Sequence, residues 1–490
     1  MDSLSVARIH SSSTKYEHKP EWYFEHGLRK VKPYLFEFST FAKERWRGRS
    51  VIDVFSTDFR DRSPEYYAHA VASGVIKING KNIKKDVIIK NGDRITNILH
   101  RHEPPVTGDP VKILHRDDEK GLLVVEKPGS MPVHPTGRYN YNTMLSMLRF
   151  DHNLPLVHTS NRLDRLTSGV MICALTVEAS KRLSKYFSTE GAVKKEYIAR
   201  CRGDFPDPEV VCEEPLLTID RQIGLNVVHP EGKHAKTIFK KLSYDPLSNS
   251  SVIHCRPITG RSHQIRVHLQ YLGFPILNDT IYCNIKAWGP SYGKGGIFFS
   301  TPDPTETNID ESGNAPDVKP LECPDDAPTE VESMSSHNSK RPSLVALGKN
   351  QRQGLSQVRK KRLKLEPEST ESGDLSGVTI NELASAVILE LRKARDIEDD
   401  FGRNKDMLHI DKAFKSVEEL QKIKSIDSPN NSNAEFCSDC GIPLLPDPKP
   451  DQLYIYLHAY RYQTDSWDYS SEMPWWAIDN EWKTRMSLRS

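Results

Sequence analysis

The feature that most constrains the fold is a run of residues, 301–400, that contains no Phe, Trp or Tyr, although aromatic residues make up 8% of the chain. Charges are segregated within this run. Residues 301–332 carry ten acids and one base, and residues 340–364 carry nine bases and no acid. A polar stretch without aromatic anchors cannot bury a core. We therefore predict a disordered, charge-segregated insertion at 300–377, and we expect deletion of residues 303–370 to leave turnover in vitro largely intact. Its basic end, RKKRLK, fits a nuclear-import signal or a loose RNA tether, although a solvated charge run is the commoner explanation.

Regular patterns return on the C-terminal side of the insertion. Residues 378–430 are predicted to be a helical insertion segment, with a helix in TINELASAVILELRKAR that Thr379 can cap. Four apolar residues are expected on one face of this helix: Ile380, Leu383, Val387 and Leu391. Residues 431–482 are rich in aromatic side chains, which need a core that the insertion cannot supply. We expect this segment to pack onto the domain before the insertion and to complete it.

The N-terminal hundred residues divide into two parts. Residues 1–45 form a polar and aromatic arm with no clear period. Residues 46–105 contain two helix candidates followed by short strands, with Lys77 and Lys81 among them. This order resembles an S4-like RNA-binding domain whose lysines hold an RNA backbone. A small helper domain with solvated lysines is an equally good interpretation.

Residues 106–299 alternate β-rich runs with turns and helices, and they are expected to form the first part of the catalytic domain. One helix is predicted after Thr176, because Ala179, Leu183 and Phe187 recur at intervals of four. Several strands follow one another closely, so the sequence predicts an α+β fold with a mixed or antiparallel central sheet rather than a βαβ repeat.

Charge and hydropathy limit the classes of partner. Residues 1–300 have 44 basic and 32 acidic residues, a net of +12, whereas 301–490 have 24 and 34, a net of −10. The basic half keeps a polyanion partner open although the whole chain carries only +2. No apolar run approaches the ~18 residues of a spanning helix, so no membrane association is expected. A monomer without an obligatory protein partner is also expected.

Cysteine usage and the N-terminal sequence bear on the compartment. Eight cysteines are too few for a secreted disulfide scaffold, which indicates reduced thiols in an intracellular protein. We expect the cytoplasm or the nucleus. A Ser-rich start containing Arg8 leaves a mitochondrial leader as a weaker alternative.

The most informative motif is NRLDRLTSG at 161–169. It places Asp164 between Arg162 and Arg165, and flanking cations favour the ionised carboxylate that a nucleophile or base requires. A Thr-Ser-Gly turn is expected to present this carboxylate beside an apolar strand. Taken alone, an Asp between two Arg is more often a structural ion pair.

A second cluster lies in ITGRSHQIRVHLQ at 258–270. Four of its residues can reach phosphates or pair with Asp164: Arg261, His263, Arg266 and His268. On a strand, Arg266 and His268 would share a face. On a helix, His263 and Arg266 would share one instead. A charged surface helix without a special role is the competing interpretation.

Five stretches resemble the RluA-type pseudouridine synthases. NRLDRLTSG, KKEYIA (194–199) and ITGRSHQIRVHLQYLGFPILND (258–279) are similar to the three motifs of that family. KPGSMPVHP (127–135) resembles the stretch before the first motif, and LYIYLHAYRY (453–462) resembles the closing strand. The resemblance covers about 109–299 and 437–480, and it is greatest to the eukaryotic branch that modifies uridine 32 of tRNA. Asn161 departs from the His that many members carry there.

The resemblance implies an RNA substrate, most specifically tRNA, and chemistry without metal, nucleotide or redox cofactor. It implies that Asp164 is the catalytic carboxylate, acting on the anomeric carbon or on a ribose proton. Tyr197 would stack on the uracil and assist proton transfer, and Arg266 would hold Asp164 in place. The target base would be flipped out of its loop into the pocket. The remaining candidates for RNA contacts are Arg162, Arg165, Arg261, His263, Lys77 and Lys81.

Two other classes of function compete with this one. Cys437 and Cys440 have the spacing of zinc ligands, but a closed site needs four, and the sequence has no second CxxC or HxxxH. The nearest extra candidates, Cys283 and Cys323, are far off in sequence, so we predict no metal. The second competitor is a non-catalytic RNA-binding protein on the same fold. It would have no need of Asp164, Tyr197 and Arg266 together.

Overall fold

The computed structural model describes residues 19–59, 63–189, 191–221, 223–296, 382–400, 437, 447–449 and 452–487. The predicted insertion at 300–377 and most of the 378–430 segment therefore lie outside the described residues. Within the described ranges, no helix is both long enough and apolar enough to cross a membrane.

The N-terminal part contains seven strands and two helices among the described residues. The strands are β1 Trp22–Glu25, β2 Leu28–Val31, β3 Tyr34–Phe41, β4 Ile76–Ile78, β5 Lys81–Asn82, β6 Arg94–Arg101 and β7 Val106–Thr107, and the helices are α1 Val51–Val54 and α2 Pro64–Ala72. They form a three-stranded sheet, β1-β2-β7, and a four-stranded sheet, β3-β6-β4-β5. The two helices and two of the short strands match the prediction for 46–105. The arm, however, contains three strands, and β3 is the edge of the four-stranded sheet. Tyr34, Phe36 and Phe38 recur at every second position of β3, a strand-like alternation that the interpretation of the arm as having no clear period overlooked.

The catalytic part follows. Its strands are β8 Lys112–Asp117, β9 Leu122–Lys127, β10 His158–Thr159, β11 Ser168–Ala174, β12 Lys194–Arg202, β13 Val210–Cys212, β14 Leu216–Asp220, β15 Leu225–Val228, β16 Thr237–Asp245, β17 Ser250–Pro257, β18 Leu457–Gln463 and β19 Asp468–Ser470. Its helices are α3 Met144–Asp151, α4 Val177–Ser188, α5 Gln264–Tyr271, α6 Ile285–Trp288, α7 Glu382–Asp400 and α8 Asp479–Ser487. Helix α4 confirms the prediction, since the Thr176 hydroxyl accepts a hydrogen bond from the Ala179 N–H.

Ten strands form the central sheet, in the order β13-β16-β17-β12-β18-β11-β9-β8, with β10 beside β11 and β19 beside β18. Its ladders are antiparallel except for the parallel pair β11–β18, which confirms a mixed sheet in an α+β fold. Strands β14 and β15 form a separate hairpin.

Strand β18 lies in the middle of the central sheet, between β11 and β12, although it follows them by more than 250 residues in the sequence. The close approach of its backbone depends on Gly169. This residue has φ +117°, and a Cβ at this position would lie 2.3 Å from the Ala459 carbonyl oxygen. The aromatic segment at the C-terminus therefore completes the sheet that holds the candidate catalytic residues.

Helix α7 buries a different stripe from the predicted one. Val387 and Leu391 are buried as expected, but Leu383 is 51% exposed. The buried stripe is Ala384, Val387, Ile388 and Leu391, which packs against β15 and α6. Ile380 and Thr379 lie outside the described residues. The prediction that Leu383 shares the apolar face was therefore wrong, because Ala384 is buried there instead.

Candidate active site

Asp164 lies on the loop between β10 and β11, close to the middle of the central sheet. A turn follows it, in which the Thr167 N–H donates to the Asp164 carbonyl. The turn therefore precedes the Thr-Ser-Gly sequence, and Ser168 already belongs to β11. Two leucines anchor the loop: Leu163 is 6% exposed in the core, and the Leu166 carbonyl accepts the Ile455 N–H from the closing segment. The Asp164 side chain itself is 28% exposed, so a substrate can reach it.

Helix α5 supplies the groups that face this carboxylate. The helix begins after His263, whose φ of +56° lies in the left-handed region. Its residues Gln264–Gln270 are all buried, so the interpretation as a charged surface helix was wrong. The helical alternative is confirmed instead, because His263 and Arg266 lie on the same side. Both approach Asp164 Oδ2, with His263 Nε2 at 3.4 Å and an Arg266 Nη1 at 3.1 Å.

Arg266 is held by a second carboxylate, Asp279. Arg266 Nε and Nη2 donate to Asp279 Oδ2 and Oδ1 at 2.6 and 2.9 Å. Asp279 also accepts the backbone N–H groups of Ile281 and Tyr282, and its side chain is fully buried. This bidentate contact fixes the plane of the Arg266 guanidinium and leaves Nη1 to donate to Asp164.

The electrostatics of the site keep Asp164 ionised and His263 neutral. Burial alone would raise the pKa of Asp164, but His263 and the Arg266 and Arg162 guanidinium groups outweigh it and hold that pKa below the usual value. Burial, reinforced by Arg266, lowers the pKa of His263 to about 4, although the Asp164 charge opposes this. The Tyr282 hydroxyl accepts the Asn226 N–H, so its own proton can go to His263 Nδ1, 3.0 Å away. His263 then presents Nε2–H to Asp164.

Two tyrosines form the opposite side of the site. Tyr197 is on β12, at a β-bulge between Glu196 and Tyr197. Such a bulge changes the direction in which a side chain points. Its hydroxyl is 2.8 Å from the Tyr462 hydroxyl of β18, which also accepts from Asn161 Nδ2 at 3.4 Å. Burial, the neighbouring tyrosine and the Asp164 charge raise the pKa of Tyr197 well above its usual value. Burial raises the pKa of Tyr462 to about 12. Both tyrosines are therefore protonated at neutral pH.

A buried lysine, Lys127, is hydrogen-bonded to the loop that carries Asp164. Lys127 ends β9, and its Nζ donates to the carbonyl oxygens of Pro128, Met131 and Arg165 at 2.8, 3.0 and 3.2 Å. Burial lowers the pKa of Lys127 to about 7, although the Asp164 charge opposes this. These three bonds tie the loop after β9 to the loop that carries Asp164.

The other predicted RNA contacts are not all brought together. Arg162 and Arg165 are both exposed; Arg162 contributes to lowering the Asp164 pKa, and the Arg165 guanidinium lies 5.7 Å from the centre of the Tyr139 ring. Arg261 is exposed at the start of the α5 region and donates to the His234 carbonyl. Lys77 pairs with Asn82 across the β4–β5 hairpin and Lys81 pairs with Ile78, so the two lysines project to opposite faces.

His268, named with the second cluster, does not face Asp164. It is fully buried, and its Nδ1 lies 2.9 Å from the Thr237 hydroxyl while its Nε2 donates to the Glu214 carbonyl. The sequence analysis missed Asp279, Lys127 and Tyr462, although all three occur in the stretches that it quoted. A signal was present for one of them, because Lys127 lies only two residues beyond the apolar run LLVV of β9.

Comparison with known proteins agrees with this arrangement. The family model for RNA pseudouridylate synthase matches residues 121–271, which include Asp164, Tyr197 and Arg266. Pseudouridylate synthase RPUSD2 of Homo sapiens is 37% identical over 482 residues, covering 97% of this chain and 77% of the relative.

Two relatives from Saccharomyces cerevisiae are named for tRNA positions. The mitochondrial tRNA pseudouridine(32) synthase is 46% identical over 297 residues, covering 60% of this chain and 62% of the relative. The tRNA pseudouridine(31) synthase is 32% identical over 302 residues, covering 54% of this chain and 74% of the relative. The chain belongs to the RluA-type family of RNA pseudouridylate synthases.

Proposed function

We propose that the chain isomerises a uridine in the anticodon loop of tRNA to pseudouridine, with position 32 as the preferred target. Pseudouridine synthase activity on RNA follows from the family. The names of the two Saccharomyces cerevisiae relatives support tRNA as the RNA and positions 31 and 32 as the candidates. The higher identity is to the position-32 relative, and it favours that position. The RPUSD2 name states no position, so rRNA and mRNA uridines are the alternative substrates.

The proposed mechanism rests on one observation: the Asp164 carboxylate lies between Arg266 and His263. Isomerisation breaks the N-glycosidic bond, turns the uracil and rejoins it to ribose through C5. Asp164 remains ionised throughout the neutral range, because the surrounding cations lower its pKa. It is therefore available as a nucleophile at the anomeric carbon or as a base toward a ribose proton. Arg266, fixed by Asp279, keeps one oxygen of Asp164 oriented for that step.

Tyr197 is proposed to stack on the flipped uracil. Its high pKa keeps the hydroxyl protonated, so it does not act as a free phenolate base. When the C5 proton leaves the rejoined base, its acceptor is the Asp164 carboxylate, released again once the new bond has formed, or solvent water. The protonated Tyr197 hydroxyl, 2.8 Å from the Tyr462 hydroxyl, assists this transfer by hydrogen bonding and is not the final acceptor. Asn161, which donates to Tyr462, orients the pair of hydroxyls. Arg162, exposed beside the site, is proposed to contact the RNA backbone next to the flipped nucleotide.

The N-terminal part is proposed to be S4-like and to hold the tRNA outside the anticodon loop. Support comes from its two helices followed by short strands and from the lysines on the β4–β5 hairpin. Because Lys77 and Lys81 project to opposite faces, only one of them is expected to contact a given RNA strand. The protein is proposed to act as a monomer, in the cytoplasm or the nucleus.

The test uses unmodified tRNA transcripts labelled with tritium at C5 of uridine, since forming the new C–C bond releases that tritium. We expect release without added metal or cofactor from a transcript with U32, and none from the same transcript with C32. Asp164→Ala should abolish release and retain tRNA binding. Asp118→Ala changes an aspartate that is 66% exposed in the turn after β8; it is the matched control and should leave release unchanged. Full activity of Asp164→Ala would overturn the mechanism. Release from the C32 transcript would redirect the substrate to another uridine.

A further inference from the structure

A cluster of side chains that could bind a metal, none of which contacts Asp164 in the hydrogen bonds and ion pairs of the described residues, lies where the returning chain meets the N-terminal sheet. His100, His102 and Cys437 place their ligand atoms within 4.8 Å of one another. Cys437 comes from the segment after the insertion, more than 330 residues along the chain from His100. The sequence patterns singled out earlier did not include the His-Arg-His spacing at 100–102, because it is neither CxxC nor HxxxH.

The two histidines are presented by one rigid strand end. His100 lies in β6 and His102 follows it, so they project to the same face while Arg101 projects to the other. Their rings touch edge to face, with centroids 5.0 Å apart. The next residue, Glu103, accepts hydrogen bonds from the Tyr34 hydroxyl and from three backbone N–H groups of residues 140–142. These bonds anchor the strand end independently of any ion.

The geometry fits zinc. Cys437 Sγ lies 3.7 Å from His100 Nδ1. Two ligands of a tetrahedral zinc ion, with Zn–S about 2.3 Å and Zn–N about 2.05 Å, stand about 3.6 Å apart. His100 is 7% exposed and Cys437 is 9% exposed, so an ion there would be shielded from water. A thiol hydrogen-bonded to an imidazole would also give this distance, and the experiment below separates the two.

The chemistry of the donors points the same way. One thiolate and two neutral imidazoles are soft and borderline ligands, which select zinc over magnesium or calcium. These side chains supply three of the four ligands of a tetrahedral zinc ion, and the described residues do not supply the fourth.

We propose that His100, His102 and Cys437 bind a structural zinc ion that fastens the segment after the insertion to the four-stranded N-terminal sheet. Ten residues further on, Asp447 forms an ion pair with Lys30 at 2.6 Å. The returning chain is thus attached to the N-terminal part at two points before it enters β18. The ion fixes the position of the chain between Cys437 and β18, and it takes no part in the uridine chemistry. The proposal stands or falls independently of the proposed substrate.

The test is metal analysis of the untagged full chain purified without chelator. We expect about one zinc ion per chain in the wild type, and loss to background in Cys437→Ser and in His100→Gln. Two matched controls should keep their zinc. Cys283→Ser removes a thiol that is not in the cluster. His26→Gln alters the other potential metal cluster, Glu25, His26 and Asp447.

Cobalt substitution of the wild type provides a measurement that does not depend on whether the variants fold. Cobalt in this site should give the intense visible bands of tetrahedral coordination and a thiolate-to-metal charge-transfer band. A wild-type chain that takes up neither zinc nor cobalt would overturn the proposal and leave a thiol–imidazole hydrogen bond. Zinc retained in folded Cys437→Ser, or lost in His26→Gln, would overturn it as well.

Discussion

The Asp279→Asn substitution tests how Arg266 is held. In the wild type, the buried Asp279 carboxylate accepts two hydrogen bonds from Arg266 and one each from the N–H groups of Ile281 and Tyr282. An amide turns one of these acceptors into a donor that faces the guanidinium. Removing one charge from a buried ion pair costs about 3–5 kcal/mol of unfolding free energy. Arg266 would then be free to swing fully onto Asp164.

A shift of Asp164 by about 1 Å is expected to lower kcat about a hundredfold, while KM for tRNA changes little. Urea unfolding at pH 7 measures the stability, and tritium release at 15 °C or below measures the rate on folded protein. Asp220→Asn is the matched control, because Asp220 is equally buried and pairs with Arg392 of α7 at 2.7 Å. It should be destabilised comparably without the kinetic loss. If Asp279→Asn loses no more activity than Asp220→Asn, then the Asp279 contact does not position the catalytic arginine.

Three further predictions concern stability and the loop under the site. Gly169→Ala places a Cβ 2.3 Å from the Ala459 carbonyl oxygen at φ +117°, so urea unfolding should show a loss of at least about 3 kcal/mol. Lys127→Met leaves three carbonyl oxygens without their donor, so kcat should fall by a larger factor than KM changes. If the variant has wild-type kinetics, the lysine is not needed to shape the loop. Burial lowers the pKa of His268 to about 4, so between pH 6.5 and 4 the unfolded chain binds more protons than the folded one. Stability should therefore fall as pH drops through that window, by about 3 kcal/mol from this residue, and His268→Gln should flatten the slope measured by urea unfolding at pH 5 and 7.

Local patterns predicted the elements whose causes are local. Helix α4 begins at a threonine cap and repeats its apolar residues every fourth position, and both signals can be read without knowing any neighbour. The long motifs likewise identified Asp164, Tyr197 and Arg266 as candidates. The arm was assigned no period, although Tyr34, Phe36 and Phe38 alternate along β3. Leu383 was placed on the apolar face of α7, whereas Ala384 is the residue buried there.

Long-range contacts could not be read from the sequence at all. Whether His263 and Arg266 would share a face depended on a helix-or-strand choice that spacing left open, and packing against the sheet decided it. The partner of Arg266 was also hidden. Asp279 is thirteen residues away, and only the fold brings both of its carboxylate oxygens to the guanidinium.

The sequence by itself determined the family, the candidate carboxylate and the presence of an aromatic segment that needed a core elsewhere. These properties depend on residue identity and short spacing. The tertiary structure decided where that segment goes, which cations face Asp164, and that His100 and His102, at the end of β6, meet the cysteine before β18. Each of these joins residues about 100 to 340 positions apart. Such contacts are stabilised by packing of the whole sheet and are not recorded in any local pattern.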